Sequence, residues 1–311
     1  MFAKDIKLWG IATTTGLLLC VVYLLAPQQM QHYILPLAIS LIVGFGIPHG
    51  AADIALLKHL NLSRWSKLRY FEWYLLLCGI YALLWWASAT IALLLFIFLS
   101  VYHFGQSNWQ ALFKSNTVSN GPPVLFKVAS YVLWGSFAVF TPLLFHYAET
   151  ATIVEQIIAS PLSYFSASVL VPCAFVLLLM NGLIVFWASL KNYITRQNAW
   201  MEILNLGVLC LLFYTLPLLL GFSLYFVFWH SISSIQDQIH FFRRVKGSFS
   251  WKHYILTALP FTLLAIIGLL AWYGLHLYTG WAEGNIGLLF SFIAIITLPH
   301  TVVMEFLYKG E

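Results

Sequence analysis

Four histidines stand inside apolar stretches of this chain: His49 in GFGIPHGAAD, His103 in VYHFGQSNW, His230 in VFWHSISS and His300 in TLPHT. A neutral imidazole offers a ring nitrogen to a metal or relays a proton. In lipid such a group is costly and is usually functional. The first basic residue downstream lies nine residues after His49, eleven after His103, thirteen after His230 and nine after His300. On helices running in one direction, that spread of four residues is only ~6 Å of depth. One buried histidine is readily satisfied by a neighbouring carbonyl or hydroxyl. Four at one level point to a shared partner, and a metal ion is the simplest. His49, His103, His230 and His300 are therefore the candidate ligands.

The residues around them fit the same purpose. Pro48 removes a backbone donor, and Gly44, Gly46 and Gly50 permit bending, so the helix can be distorted to aim His49. Pro299 before His300 repeats the device. Asp53, four residues after His49, is placed to accept a proton from a ligand imidazole or to ligate directly. Gln106 is three residues after His103 on the same face, and Asp237 is seven after His230. Asn181 falls at the same level and either lines the cavity or bonds a neighbouring helix.

The elements that must position these side chains follow from composition. Of 311 residues, 61% are hydrophobic and 8% charged, against about 25% charged in soluble domains. The apolar runs do not alternate with polar residues as membrane β-strands do, so an all-α, polytopic membrane protein is expected. Ten spans are predicted: 8–26, 33–58, 70–87, 88–113, 123–147, 164–190, 200–219, 221–242, 253–276 and 286–308, with tight joins at Ala87-Ser88 and Leu220-Gly221. His49, His103, His230 and His300 then lie in spans two, four, eight and ten. All 15 Lys and Arg fall on one side of this arrangement, while Glu149, Glu155 and Glu283 mark the other. Both termini are thus expected in the cytoplasm, in the cell inner membrane. The net charge of +5 reads as orientation and anionic-lipid contact rather than nucleic-acid binding. Residues 148–163 form the longest outer segment and have room for a short interfacial helix. A single domain over residues 1–311 is expected. The first span reads as one that stays, and Cys20, Cys78, Cys173 and Cys210 read as apolar packing residues.

GIPHGAAD, YHFGQSNW, FWHS and LPHTVVMEF, in this order, resemble the bacteriorhodopsin-related Brp/Blh family of membrane β-carotene dioxygenases. The resemblance implies oxidative cleavage of β-carotene at its central double bond to give retinal, with non-haem Fe(II) held by histidines. Dioxygen, membrane lipid and a retinal-binding opsin are the implied partners. His49, His103 and His230 match family ligand positions. The family's span-eight motif usually reads like WHSxRH, and here Ser233 and Ser234 replace the arginine and the second histidine. Serine is a poorer iron ligand than imidazole. His300 or a water then completes the site, or the metal is held weakly, or the chemistry has changed. Ser234 is read as a neighbour of the ligands.

If the resemblance holds, a polyene enters from the bilayer, and Tyr102, Phe104 and Trp229, which flank the histidines, are the candidate substrate contacts. The alternatives are an altered family member that binds carotenoid or retinal or acts on another polyene lipid, and a transporter or proton relay. The latter predicts inverted repeats, yet the histidines occupy only same-direction spans. The tight histidine clusters of di-iron desaturases are missing from the sequence.

Overall fold

The computed structural model describes residues 6–60, 67–114, 121–162, 165–279 and 285–309. Lys4, Arg64 and Glu283 of the charge pattern lie outside the described residues. The protein is all-helical, and among the described residues ten helices are long and apolar enough to cross a membrane. Lipid offers the backbone no hydrogen bonds, so each span must satisfy its own, which a helix does.

The first span is α1 (Ile6–Leu25). The second is α2 (Pro27–Leu41), a π-helical stretch (Ile42–Gly46), α3 (Ile47–Gly50) and α4 (Asp53–His59). It begins at Pro27, not near residue 33, because proline is well suited to the first turn, where no backbone donor is required. Next come α5 (Lys67–Ala87) and α6 (Ala89–Lys114), separated by Ser88 alone. α7 (Val124–Phe145) is followed by the short α8 (Tyr147–Ile158), which occupies the expected outer segment. α9 (Ala167–Leu190) and α10 (Arg196–Thr215) follow. The eighth span comprises α11 (Leu218–Leu224), a second π-helical stretch (Tyr225–Ser231) and α12 (Ile232–Lys246). α13 (Trp251–Thr279) and α14 (Asn285–Lys309) complete the chain. The join expected at Leu220-Gly221 falls at Leu216-Pro217, where both residues are extended, with ψ near 146° and 148°. A residue preceding proline is pushed out of the helical region, and that preference, rather than Gly221, sets the break.

The chain divides into two compact units. The first contains Met1–Ile42, Ser100–Thr150 and Ser163–Ser233, and the second Val43–Leu99, Ala151–Leu162 and Ser234–Glu311. In the first unit α7 packs on α9 and α10, α1 on α10, and α2 on α11. Trp134, Phe137, Phe213 and Tyr225 form an aromatic core there. α6 and α7 approach through glycine: a Cβ on Gly105 would fall 1.7 Å from the Tyr131 carbonyl oxygen, and one on Gly135 equally close to that of Val101. In the second unit α14 packs on α5, α4 and α13. Its core includes Leu56, Phe242, Val303, Met304 and Leu307. α13 leaves Ile255, Leu256, Leu263 and Ile267 exposed, a face suited to lipid.

Candidate metal centre

In the second unit, the π-helical stretch and Pro48 break the regular hydrogen-bond ladder just before His49. Past His49, α3 ends in a turn at Ala51 and Ala52 before α4, and the Pro48 and His49 carbonyls there have side-chain partners. Tyr254 donates its hydroxyl to the Pro48 and His49 oxygens at 3.0 and 3.2 Å, and Gln238 donates to the His49 oxygen at 2.8 Å. Tyr254 also reaches Gln238 Oε1 at 3.2 Å. The backbone that carries His49 is therefore held from α12 and α13.

The His49 ring bonds through Nδ1 to the Gly46 carbonyl. A carbonyl only accepts, so Nδ1 carries the proton and Nε2 keeps its lone pair. His300 lies edge-on to it, with ring centroids 4.6 Å apart. Its Nδ1 stands 3.0 and 3.1 Å from the two carboxylate oxygens of Asp53, which again leaves Nε2 to serve as a donor to a metal. Asp53 thus pairs with His300 across helices rather than with His49 on its own chain segment. Tyr74 adds a hydrogen bond to Asp53 at 3.2 Å. All three groups, His49, Asp53 and His300, are buried.

In the first unit, His103 on α6 and His230 in the second π-helical stretch also meet edge-on, with centroids 4.9 Å apart. A π-helical turn inserts one residue into a helix and commonly marks a functional position; here it turns His230 toward α6. Phe104 and Phe226 flank the His230 ring at 4.6 and 5.5 Å. Tyr102 lies against Tyr131. Trp229 is buried and donates its indole N–H to Asn205.

Among the remaining candidates, Gln106 is buried on α6. Ser234 is fully buried in the second unit; it receives a hydrogen bond from Gln238 at 3.3 Å and directs its hydroxyl toward the Met304 sulfur at 4.0 Å. Asn181 donates to the Leu133 and Leu177 carbonyls at 3.0 and 2.9 Å, so it ties α9 to α7. Sequence reasoning missed Tyr74, Gln238, Tyr254 and Glu202. Of these Glu202 carried a signal, an ionisable residue in an apolar span.

The buried His49 and His300 of the second unit can each present one ring nitrogen to a metal ion, and the buried His230 of the first unit can do the same. Neutral imidazoles with preset tautomers fit a divalent first-row transition ion, without choosing among iron, zinc, copper and nickel. The chain is a polytopic helical membrane protein with buried histidines whose Nδ1 atoms are engaged by carbonyl and carboxylate partners. The chain matches the model of the family described as beta-carotene 15,15'-dioxygenase over residues 40–308, and it belongs to that family. It is 23% identical over 293 residues to a beta-carotene 15,15'-dioxygenase of uncultured marine bacterium 66A03, covering 88% of this chain and 93% of that one. It is 24% identical over 294 residues to the probable beta-carotene 15,15'-dioxygenase Blh of Halobacterium salinarum, covering 89% and 84%. No solved structure matches.

Proposed function

We propose that the protein is a non-haem Fe(II) dioxygenase of the membrane that cleaves beta-carotene at its central double bond, yielding two molecules of retinal. Family membership supports the substrate class. The observation that carries the metal reading is the His49–His300 pair, in which each Nδ1 is already engaged by an acceptor. His49, His103, His230 and His300 are the proposed iron ligands, with His103 beside His230 and His49 beside His300. When bound, the iron supplies the activation of dioxygen.

The chain's own residues do the remaining work. Gly46 and Asp53 fix the ring tautomers and orientations of His49 and His300. Gln238 and Tyr254 anchor the backbone under His49. Phe104 and Phe226 keep the surroundings of His230 apolar, which excludes water and favours a polyene. Tyr102, Phe104 and Trp229 are the proposed substrate contacts, and Gln106 and Ser234 the proposed supporting polar groups. We keep a single transmembrane domain as part of the proposal, because the divisions at residues 99–100 and 233–234 fall inside helices rather than in linkers. A location in the cell inner membrane with both termini cytoplasmic, and delivery of retinal to an opsin, complete it.

A second reading is favoured by Ser234, whose hydroxyl is committed to Gln238 and Met304 where the family resemblance leads one to expect an imidazole. In that reading the protein binds a carotenoid or retinal, or acts on another polyene. The test combines metal analysis of the purified protein with retinal detection in cells that make beta-carotene. The proposal expects stoichiometric iron and retinal in the wild type, and loss of both in His49→Ala and His300→Ala. Iron without retinal points to another polyene. Bound carotenoid with neither iron nor retinal establishes the second reading.

A further inference from the structure

The first unit buries a carboxylate that the proposed chemistry does not use. Glu202 lies on α10 and is 5% exposed. Its Oε1 accepts two hydrogen bonds, from Asn108 Nδ2 at 2.7 Å and from Trp134 Nε1 at 2.6 Å. Both donors are neutral, so the carboxylate is held by hydrogen bonds from an amide and an indole. Asn108 stands on α6, five residues after His103. Trp134, on α7, packs against Tyr225 at the start of the π-helical stretch that carries His230. One turn further along α10, Asn205 accepts the indole N–H of Trp229, the residue before His230. One short segment of α10, Glu202 to Asn205, therefore reaches both helices that bear the histidines of this unit.

We propose that Glu202 is a positioning residue: as a double acceptor, and with Asn205 beside it, it sets the register of α6 and of the His230 turn, and so holds His103 and His230 edge to edge. Its bearing on catalysis rests on the metal reading above; the positioning itself does not. An acceptor is what the geometry requires. Glutamine at position 202 still offers a carbonyl oxygen to both donors, whereas leucine leaves two buried N–H groups without an acceptor. The competing idea is that Glu202 is general polar glue between helices. Such glue would loosen the whole protein when removed.

The two are separated by the rate at which diethyl pyrocarbonate modifies each histidine in membranes stripped of metal with a chelator, so that loss of a shared ion cannot alter the rates, followed by peptide mass spectrometry. Glu202→Leu is expected to raise modification of His103 and His230 by about tenfold, through local opening, while His49 and His300 stay at wild-type rates. Glu202→Gln keeps wild-type rates throughout. Trp229→Phe, which keeps a ring and loses only the N–H, raises His230 alone, and it serves as the deciding variant if Glu202→Leu does not fold. The proposal is overturned if Glu202→Leu leaves His103 and His230 protected, if all four histidines rise together, if Glu202→Gln behaves like leucine, or if Trp229→Phe leaves His230 unchanged. Cobalt(II) titration of the same wild-type membranes tests the metal reading separately, since a chain that takes no cobalt can still show the labelling pattern.

Discussion

At the scale of single residues, Ser234 separates what the resemblance implies from what this chain can accommodate. The hydroxyl is fully buried, between the Gln238 amide and the Met304 sulfur. An imidazole there would press on a side chain in the closed core and push Gln238 off the His49 carbonyl. Ser234→His is therefore expected to destabilise the protein by about 1–3 kcal/mol, as overpacking does, and the added Met304→Ala to recover most of that by making room. Thermal unfolding in detergent checks both, and a wild-type melting temperature for the single variant would show that the space is not closed. The histidines were legible in the sequence because ionisable groups in apolar spans are rare enough to stand out. Their partners were not. Helical spacing placed Asp53 near His49, yet its hydrogen bonds go to His300, 247 residues away. Gln238 and Tyr254 act on the Pro48 and His49 carbonyls at the turn between α3 and α4, and a linear pattern does not disclose which side chains fold over such a break.

At the scale of elements, the approach of α6 to α7 gives the sharpest expectation. A methyl on Gly105 would meet backbone, the Tyr131 carbonyl, at 1.7 Å, and a backbone atom cannot swing aside as a side-chain tip can. Gly105→Ala should force the helices apart, at a cost of about 3 kcal/mol or more, and displace His103, two residues earlier. Gly207→Ala is the control, because its Cβ meets nothing within 4 Å. Equal melting temperatures for the two variants would contradict the close approach. The number and type of elements were readable from hydropathy, since each span must be apolar and helical. The break before α11 falls about one turn before the expected Leu220-Gly221 join, because Pro217 pushes the residue ahead of it out of the helix. The two π-helical stretches left no mark in the apolar periodicity, as one inserted residue does not alter a run that is apolar on all sides.

At the scale of the whole molecule, orientation follows from where charge sits on the described helices. Lys7 opens α1, Lys58 lies in the last turn of α4, Arg69 and Lys127 lie in the first turns of α5 and α7, and Lys191 caps α9. Arg196 opens α10, Arg243, Arg244 and Lys246 close α12, Lys252 opens α13 and Lys309 closes α14. Followed through ten consecutive crossings, all of these ends fall on one side. Lys and Arg are retained on the cytoplasmic face, so that side should be the cytoplasm. A chain whose four cysteines are replaced by alanine can carry one new cysteine at exposed Gln197, at the start of α10, or at exposed Ser160, between α8 and α9. A membrane-impermeant maleimide applied to intact spheroplasts should label Ser160→Cys and spare Gln197→Cys, and inverted vesicles should give the reverse. Labelling of both from one face would mean an odd number of crossings between α8 and α10 does not hold, and with it would go the common direction of the four histidine-bearing spans.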